Sequence, residues 1–248
     1  MRLEGKTAIV TGGASGFGAG IARKFLNEGA RVMVADINGR AALDLAATLG
    51  ALAVGFEVDV SQDKSVAAMA DEAIAEFGHL DILVNNAGVT HMPAAMEGVS
   101  EEDFDRIIAV NAKAVYLTAK HLVPHMKARR AGAILNIAST AAVSPRPRLT
   151  WYNASKGWLV TATRSMAIEL APFGIRVNAI NPVAGETPLL KSFMGEDTPE
   201  MRAKFLATIP LGRFSTPEDI GNAACYLCSD EAGMVTGVAL EVDGGRTI

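Results

Sequence analysis

The chain has 248 residues, half of them apolar and a fifth charged, with a formal net charge of −4. This suffices for one large α/β domain or two small ones, and the mildly acidic balance argues against a surface built for nucleic acid or an anionic membrane. Two cysteines are too few for a disulfide framework, no run of about 20 apolar residues is present to span a bilayer, and the polar start MRLEGK lacks the apolar core of a signal peptide, so a reduced, cytoplasmic compartment is expected.

Taken in chain order, short β-rich runs alternate with helical stretches. Residues 7–11 (TAIVT) read as a buried strand and 16–27 (GFGAGIARKFLN) as a helix stopped by Gly29. A strand follows at 31–35 and a helix at 40–49, ended by Gly50. Residues 52–60 hold a third strand, after which Ser61 caps a helix running to Phe77, with Gly78 beyond it. Residues 81–85 (DILVN) form a fourth strand, and a long helix spans 103–126 behind the cap-like SEED of 100–103. Residues 133–138 are a fifth strand, 151–170 a helix and 175–180 a sixth strand. Thr216, Pro217, Glu218 and Asp219 supply an N-cap, a first-turn proline and first-turn acids for a last helix, and 238–242 close as a seventh strand.

Strict alternation at these lengths predicts an α/β, doubly wound Rossmann fold: a seven-stranded, mostly parallel sheet with helices on both faces, in one domain over residues 1–248. Right-handed crossovers and a reversal of strand order place a ligand crevice at the carboxyl ends of the strands. Residues 181–212 are the least regular, with Pro182, Pro188, Pro199 and Pro210. The part from about 183 to 212 reads as a mobile flap over the crevice.

Three features carry chemistry. The glycine-rich TGGASGFG of 11–18, with Gly12, Gly16 and Gly18, lies between the first strand and the first helix, where a backbone can turn sharply and rest a pyrophosphate on a helix N-terminus. Asp36 ends the second strand near the spacing at which an acid takes adenosine ribose hydroxyls, and its charge opposes a 2′-phosphate. No Arg or Lys stands in 12–18, and Arg40 is expected to face solvent, so NAD is favoured over NADP. Tyr152 and Lys156 are one helical turn apart and share a face, which brings an ammonium toward a phenol whose ordinary pKa of about 10 is too high for a base at neutral pH.

With TGGASGFG at 11–18, Asp59 and Val60 after the third strand, Asn85-Asn86-Ala87-Gly88 after the fourth, Asn111 in the following helix, Ser139 after the fifth strand, Tyr152-Asn153-Ala154-Ser155-Lys156, and Asn181-Pro182 after the sixth, the chain resembles the simple, one-domain branch of the short-chain dehydrogenase/reductase family from end to end. The resemblance implies catalytic roles for Asn111, Ser139, Tyr152 and Lys156. Tyr152 would be the acid/base, Ser139 would hold the substrate oxygen, Lys156 would lower the phenol and grip the nicotinamide ribose, and Asn111 would support a water-linked proton path. It also implies cofactor contacts at Gly12, Ser15, Gly16, Phe17, Gly18, Asp36, Ile37, Asp59, Val60, Asn85, Asn86, Ala87, Gly88, Pro182, Val183 and Thr187. Two positions depart from the family: Val183 stands where glycine often follows Pro182, and Phe17 replaces a small aliphatic residue, packing beneath the loop.

The implied activity is hydride transfer between NAD and a secondary alcohol or ketone, such as a polyol, sugar, hydroxy acid or cyclic alcohol, without a metal and in a homotetramer. An NADPH-dependent 3-oxoacyl-thioester reductase is the alternative, and a silent dinucleotide-binding sensor a third reading. His91 follows the NNAG turn and is a candidate border of the substrate pocket. Arg146 and Arg148 are read either as ligands for an anionic substrate group or as a solvated loop or subunit contact. The C-x-x-C of Cys225 and Cys228 reads as buried thiols, and His121 with His125 as a solvated or interface face.

Overall fold

The computed structural model describes all 248 residues. Seven strands form one sheet in the order β3-β2-β1-β4-β5-β6-β7: β1 (Thr7–Thr11), β2 (Arg31–Asp36), β3 (Ala53–Glu57), β4 (Ile82–Asn85), β5 (Gly132–Ile137), β6 (Ile175–Pro182) and β7 (Ala239–Val242). Every pairing is parallel, so the expectation of a mostly parallel sheet is exceeded. The reason lies in the strands themselves. β1 is buried along its whole length and β5 at all but its first residue, which only a sheet covered on both faces allows.

Successive side chains point to opposite faces, and two cores result. Ala8, Val10, Val32 and Val34 pack with Phe25 of α1 (Gly16–Asn27), Leu45 of α2 (Gly39–Leu49) and Ile220 of α9 (Pro217–Cys228). Ile9, Met33 and Leu83 pack on the other side with Met69 of α3 (Asp63–Phe77), Leu122 and Met126 of α5 (Ala114–Arg129), and Leu170 of α6 (Thr150–Leu170). Strand order reverses between β1 and β4, so the loops after these two strands diverge and leave a crevice between them.

Several elements differ from the sequence expectations. The third strand ends at Glu57, because Asp59 turns the chain by accepting from the Ser61 amide (2.9 Å) and hydroxyl (2.7 Å). Ser61 therefore does not cap α3, whose N-cap is Gln62 without a side-chain bond. The helix predicted over 103–126 is two helices, α4 (Glu101–Ile108) and α5, joined by a π-turn at Ala109–Lys113. The flap holds two short helices, α7 (Leu190–Met194) and α8 (Pro199–Leu206), around a small core of Val183, Leu190, Met194, Phe205, Ile209 and Phe214. Thr216 caps α9 as expected, in a reciprocal capping box with Asp219. No helix is long and apolar enough to cross a membrane.

Candidate active site

A cavity of about 450 Å³ opens at the carboxyl ends of the strands. The glycine loop forms one wall. Gly12 adopts φ +60, a conformation that side chains disfavour, and a Cβ on Gly18 would overlap the Gly12 carbonyl. Asn86 fixes this loop by donating to the carbonyls of Thr11 (2.9 Å) and Gly12 (3.0 Å), while the Thr11 hydroxyl accepts from the amides of Asn86 and Ala87. Ser15 stands at the N-cap of α1 without a capping bond, and no acid occupies the first turn. The leading amides of α1 thus meet the cavity with neither a side-chain cap nor an acid in their own first turn, a donor set that fits a phosphate.

Asp36 lines the same cavity with Ile37. Its carboxylate is held by the amides of Ala14 (3.0 Å) and Asn38 (3.0 Å), with acceptor capacity left for hydroxyls. Arg40 pairs outward with Asp44 at 2.9 Å, and its side chain is 85% exposed, so it brings no cation to the cavity. Asp59, Val60, Ala87 and Gly88 complete this end. The donors and acceptors present fit a dinucleotide. Gly18 lies behind the loop rather than on the cavity wall. Asn85 is also withdrawn: it accepts from Thr118 (2.9 Å) and donates to Asn136 (2.9 Å) in a buried relay that continues to Thr163.

Ser139, Tyr152 and Lys156 converge on the other part of the cavity. Ser139 leaves β5 in extended conformation and accepts from the Ala141 amide at 3.1 Å, so its own hydrogen is directed toward Tyr152. Tyr152 is buried at the start of α6, and burial pushes its phenol up to about 12, opposed by a hydrogen bond from Ser139. Lys156 donates to the Ile137 carbonyl at 2.8 Å, and burial pulls its ammonium down to about 8. The expected lowering of the phenol by Lys156 is therefore not what governs it in this geometry. The ammonium sits 5.9 Å from the Tyr152 ring centroid, and burial is the main influence on the phenol.

Asn111 lies in the π-turn, and its side chain does not reach the cavity. Its amide accepts from Val89 N (2.9 Å) and donates to Val89 O (2.9 Å) and Ser155 Oγ (3.0 Å), tying the loop after β4 to α6. Gly88 leaves the space this needs, since a Cβ there would stand 3.3 Å from Lys156 Nζ and 3.5 Å from Asn111 Oδ1.

Pro182, Val183 and Thr187 bring the flap to the cavity. Phe17 packs, partly buried, against the core beneath α1, and its ring also lines the cavity and lies against Gly185 of the flap. Phe193, which sequence reasoning missed, meets the Tyr152 ring edge-on at 5.0 Å between centroids. Nothing in the local pattern marked it, because the flap's contacts are made only by folding. His91 is buried away from the cavity, with Nδ1 bonded to the Met92 carbonyl at 2.7 Å and Nε2 unpartnered. Arg148 is also off the cavity: it adopts φ 67 and donates to the Pro93 carbonyl at 3.2 Å, strapping two loops together. Of the two predicted arginines only Arg146 is on the wall. Cys225 and Cys228 are buried in α9, and burial pushes the Cys228 thiol up to about 12.

Known proteins resemble the chain along essentially its whole length. A family model described as Enoyl-(Acyl carrier protein) reductase matches residues 12–247. The chain is similar to 4-formylbenzenesulfonate dehydrogenase of Comamonas testosteroni, at 48% identity over the full length of both. It is similar to D-threitol dehydrogenase of Mycolicibacterium smegmatis, at 41% identity over 100% of this chain and 95% of that one. Among solved structures it matches a 3-ketoacyl-(acyl-carrier-protein) reductase from Brucella melitensis complexed with NADH, with a TM-score of 0.95, 50% identity, and coverage of 99% and 100%.

Proposed function

The chain belongs to the short-chain dehydrogenase/reductase family of oxidoreductases, and from that premise we propose an NAD-dependent enzyme that moves a hydride between nicotinamide and the carbon of a secondary alcohol or ketone. The observation that carries this reading is the convergence of Ser139, Tyr152 and Lys156 on one cavity that also holds the glycine loop and Asp36.

Asp36 would take the adenosine ribose, Asp59 and Val60 the adenine, the start of α1 the pyrophosphate, Lys156 the nicotinamide ribose, and Pro182, Val183 and Thr187 the carboxamide end. Bound there, the nicotinamide supplies the carbon that gives or accepts the hydride. In reduction the Ser139 hydroxyl donates to the substrate carbonyl oxygen and orients it, and Tyr152 passes its phenolic proton to that oxygen. In oxidation the direction reverses, and Tyr152 receives the alcohol proton. A phenol at about 12 is protonated at neutral pH, which suits the donor role directly. The acceptor role needs added positive charge close to the phenol, and Lys156 is the residue one turn away that can supply part of it. Asn111 is a positioning residue, holding Val89 beside the reacting groups.

NAD is favoured because the Asp36 carboxylate is fixed at the cavity edge without a nearby cation. A 2′-phosphate brought to about 4 Å of it would cost on the order of 4 kcal/mol at an effective dielectric near 20. The name of the 50%-identical Brucella protein supports a second reading, reduction of a 3-oxoacyl thioester. Asp36 opposes only its NADPH-dependent form.

Initial rates with NAD and NADP across secondary alcohols, and with NADH and NADPH on an acetoacetyl thioester, separate these readings. Tyr152→Phe is expected to lower kcat by roughly 10²–10⁴-fold, the span of general acid–base catalysis, while NADH binding persists. Near-normal turnover in that variant would refute the assignment of Tyr152.

A further inference from the structure

Most arginines that carry a bond to a side chain in this protein meet an acid: Arg2 pairs with Glu231, Arg31 with Glu76, Arg129 with Asp81, Arg202 with Asp197 and Arg213 with Asp219. Arg146 and Arg246 do not. Arg146 lines the cavity with Tyr152, donates only to the Thr208 hydroxyl at 3.3 Å, and sits over Phe205, 4.0 Å from its ring centroid. Arg246 donates to Ser144 Oγ at 3.0 Å, and its Nε is buried without a partner. Ser144 itself lines the cavity, so the second guanidinium stands directly behind the wall.

The acid nearest in sequence to Arg246 is not ion-paired with either guanidinium. Asp243 is spent on the amides of Gly245 and Thr247 and on the Thr247 hydroxyl, at 2.9, 2.9 and 2.7 Å. Burial and the facing charge of Arg246 together hold Arg146 down to about 10, still fully charged at neutral pH. Two partly buried cations, neither within ion-pair distance of an acid, repel each other, and such an arrangement is relieved by an anion that enters from the cavity.

We propose that Arg146, backed by Arg246 through Ser144, is the counter-charge for a sulfonate or carboxylate on the substrate, whose carbinol carbon lies at Tyr152 and whose apolar body rests against Leu149, Phe193 and Phe205. This deepens the oxidoreductase reading and rests on it for the position of the carbinol. The geometry also selects between the two arginines of the 146–148 loop, since Arg148 is engaged in strapping the 93–94 backbone.

The test compares 4-(1-hydroxyethyl)benzenesulfonate with the neutral sulfonamide of the same skeleton, using the full-length protein with NAD. The wild type is expected to prefer the anion. Arg146→Gln should lower the ratio of the two kcat/KM values about tenfold to a hundredfold, the range of a lost charge-assisted bond, mainly through KM for the anion. Arg246→Gln should lower the ratio by less, and Arg146→Lys should restore part of it. Equal losses on both substrates, or an unchanged ratio, would overturn the proposal.

A second measurement keeps this separate from the reaction itself. Calorimetric binding of 4-ethylbenzenesulfonate to the NADH-loaded protein should be seen in the wild type and weakened in Arg146→Gln. Binding without turnover of either alcohol would sink the reaction assignment and leave the anion subsite standing. Absence of binding in the wild type would overturn the subsite.

Discussion

Lys156 is an ammonium in a place that disfavours its charge. Burial brings it from its ordinary 10.5 down to about 8, and its visible compensation is one bond to the Ile137 carbonyl. Between those two values the unfolded chain holds a proton that the folded chain has released, so folded stability gains as pH rises through that window. Below about 8 both states are protonated and the full cost of the buried charge is present. Lys156→Met should therefore compare most favourably with the wild type near pH 7, and its advantage should narrow by about 2 kcal/mol by pH 9.5. Tyr152 titrates only above this range, so it does not confuse the comparison. Urea unfolding at the two pH values measures this, and a difference independent of pH would contradict the buried-ammonium account. The Tyr152–Lys156 spacing was legible in the sequence because one helical turn is a local fact. Burial depth was not, nor were the partners of Asn86, Asn111 and Arg148, since those bonds join residues 22 to 75 positions apart.

At the scale of elements, the flap is a small unit packed on the sheet rather than part of it. Its core is largely its own, and its ties to the rest of the chain include Phe193 on Tyr152, Phe17 on Gly185, Arg146 on Phe205 and Thr208, backbone bonds from Val183 and Leu211 to Val242 and Gly244, and an isolated bridge between Gly185 and Ser215. A small unit packed on the sheet by a handful of ties opens at lower cost than the seven-stranded core. A ligand that touches both the glycine loop and Thr187 would join what is otherwise separate. NADH is therefore expected to slow amide exchange across residues 183–212 at least about tenfold, because binding favours only the closed arrangement. Equal exchange with and without NADH would mean that the segment is fixed in place. The prolines that made this stretch look irregular were partly misread: Pro199 is the first residue of α8, behind the cap of Thr198. The π-turn at Ala109–Lys113 left no trace in the apolar spacing either, because one inserted residue shifts the helical phase without breaking the pattern. The strands were read to within a few residues, since continuous apolar runs bounded by glycines and capping residues are a local signal.

The whole molecule leaves apolar surface where a single copy has no use for it. Tyr116 on α5 is 59% exposed and Ile168 on α6 is 79% exposed, with Trp158 of α6 also partly open to solvent. β7 is the edge of the sheet, pairing only with β6, and Leu240 at its centre is exposed as well. An unpaired edge strand and two helix faces of this kind are surfaces on which further copies could associate, and a closed tetramer with three two-fold axes follows where two distinct patches each meet their own copy. Light scattering of the purified protein should give four times the 25.9 kDa chain mass. Ile168→Arg, placing a charge at the most exposed apolar position of α6, should drop the mass to that of a dimer or monomer, while Leu240→Lys should attack the β7 contact separately. A wild type that remains monomeric at micromolar concentration would show that these faces are simply solvated. A tetramer unchanged by Ile168→Arg would place the association elsewhere on the surface.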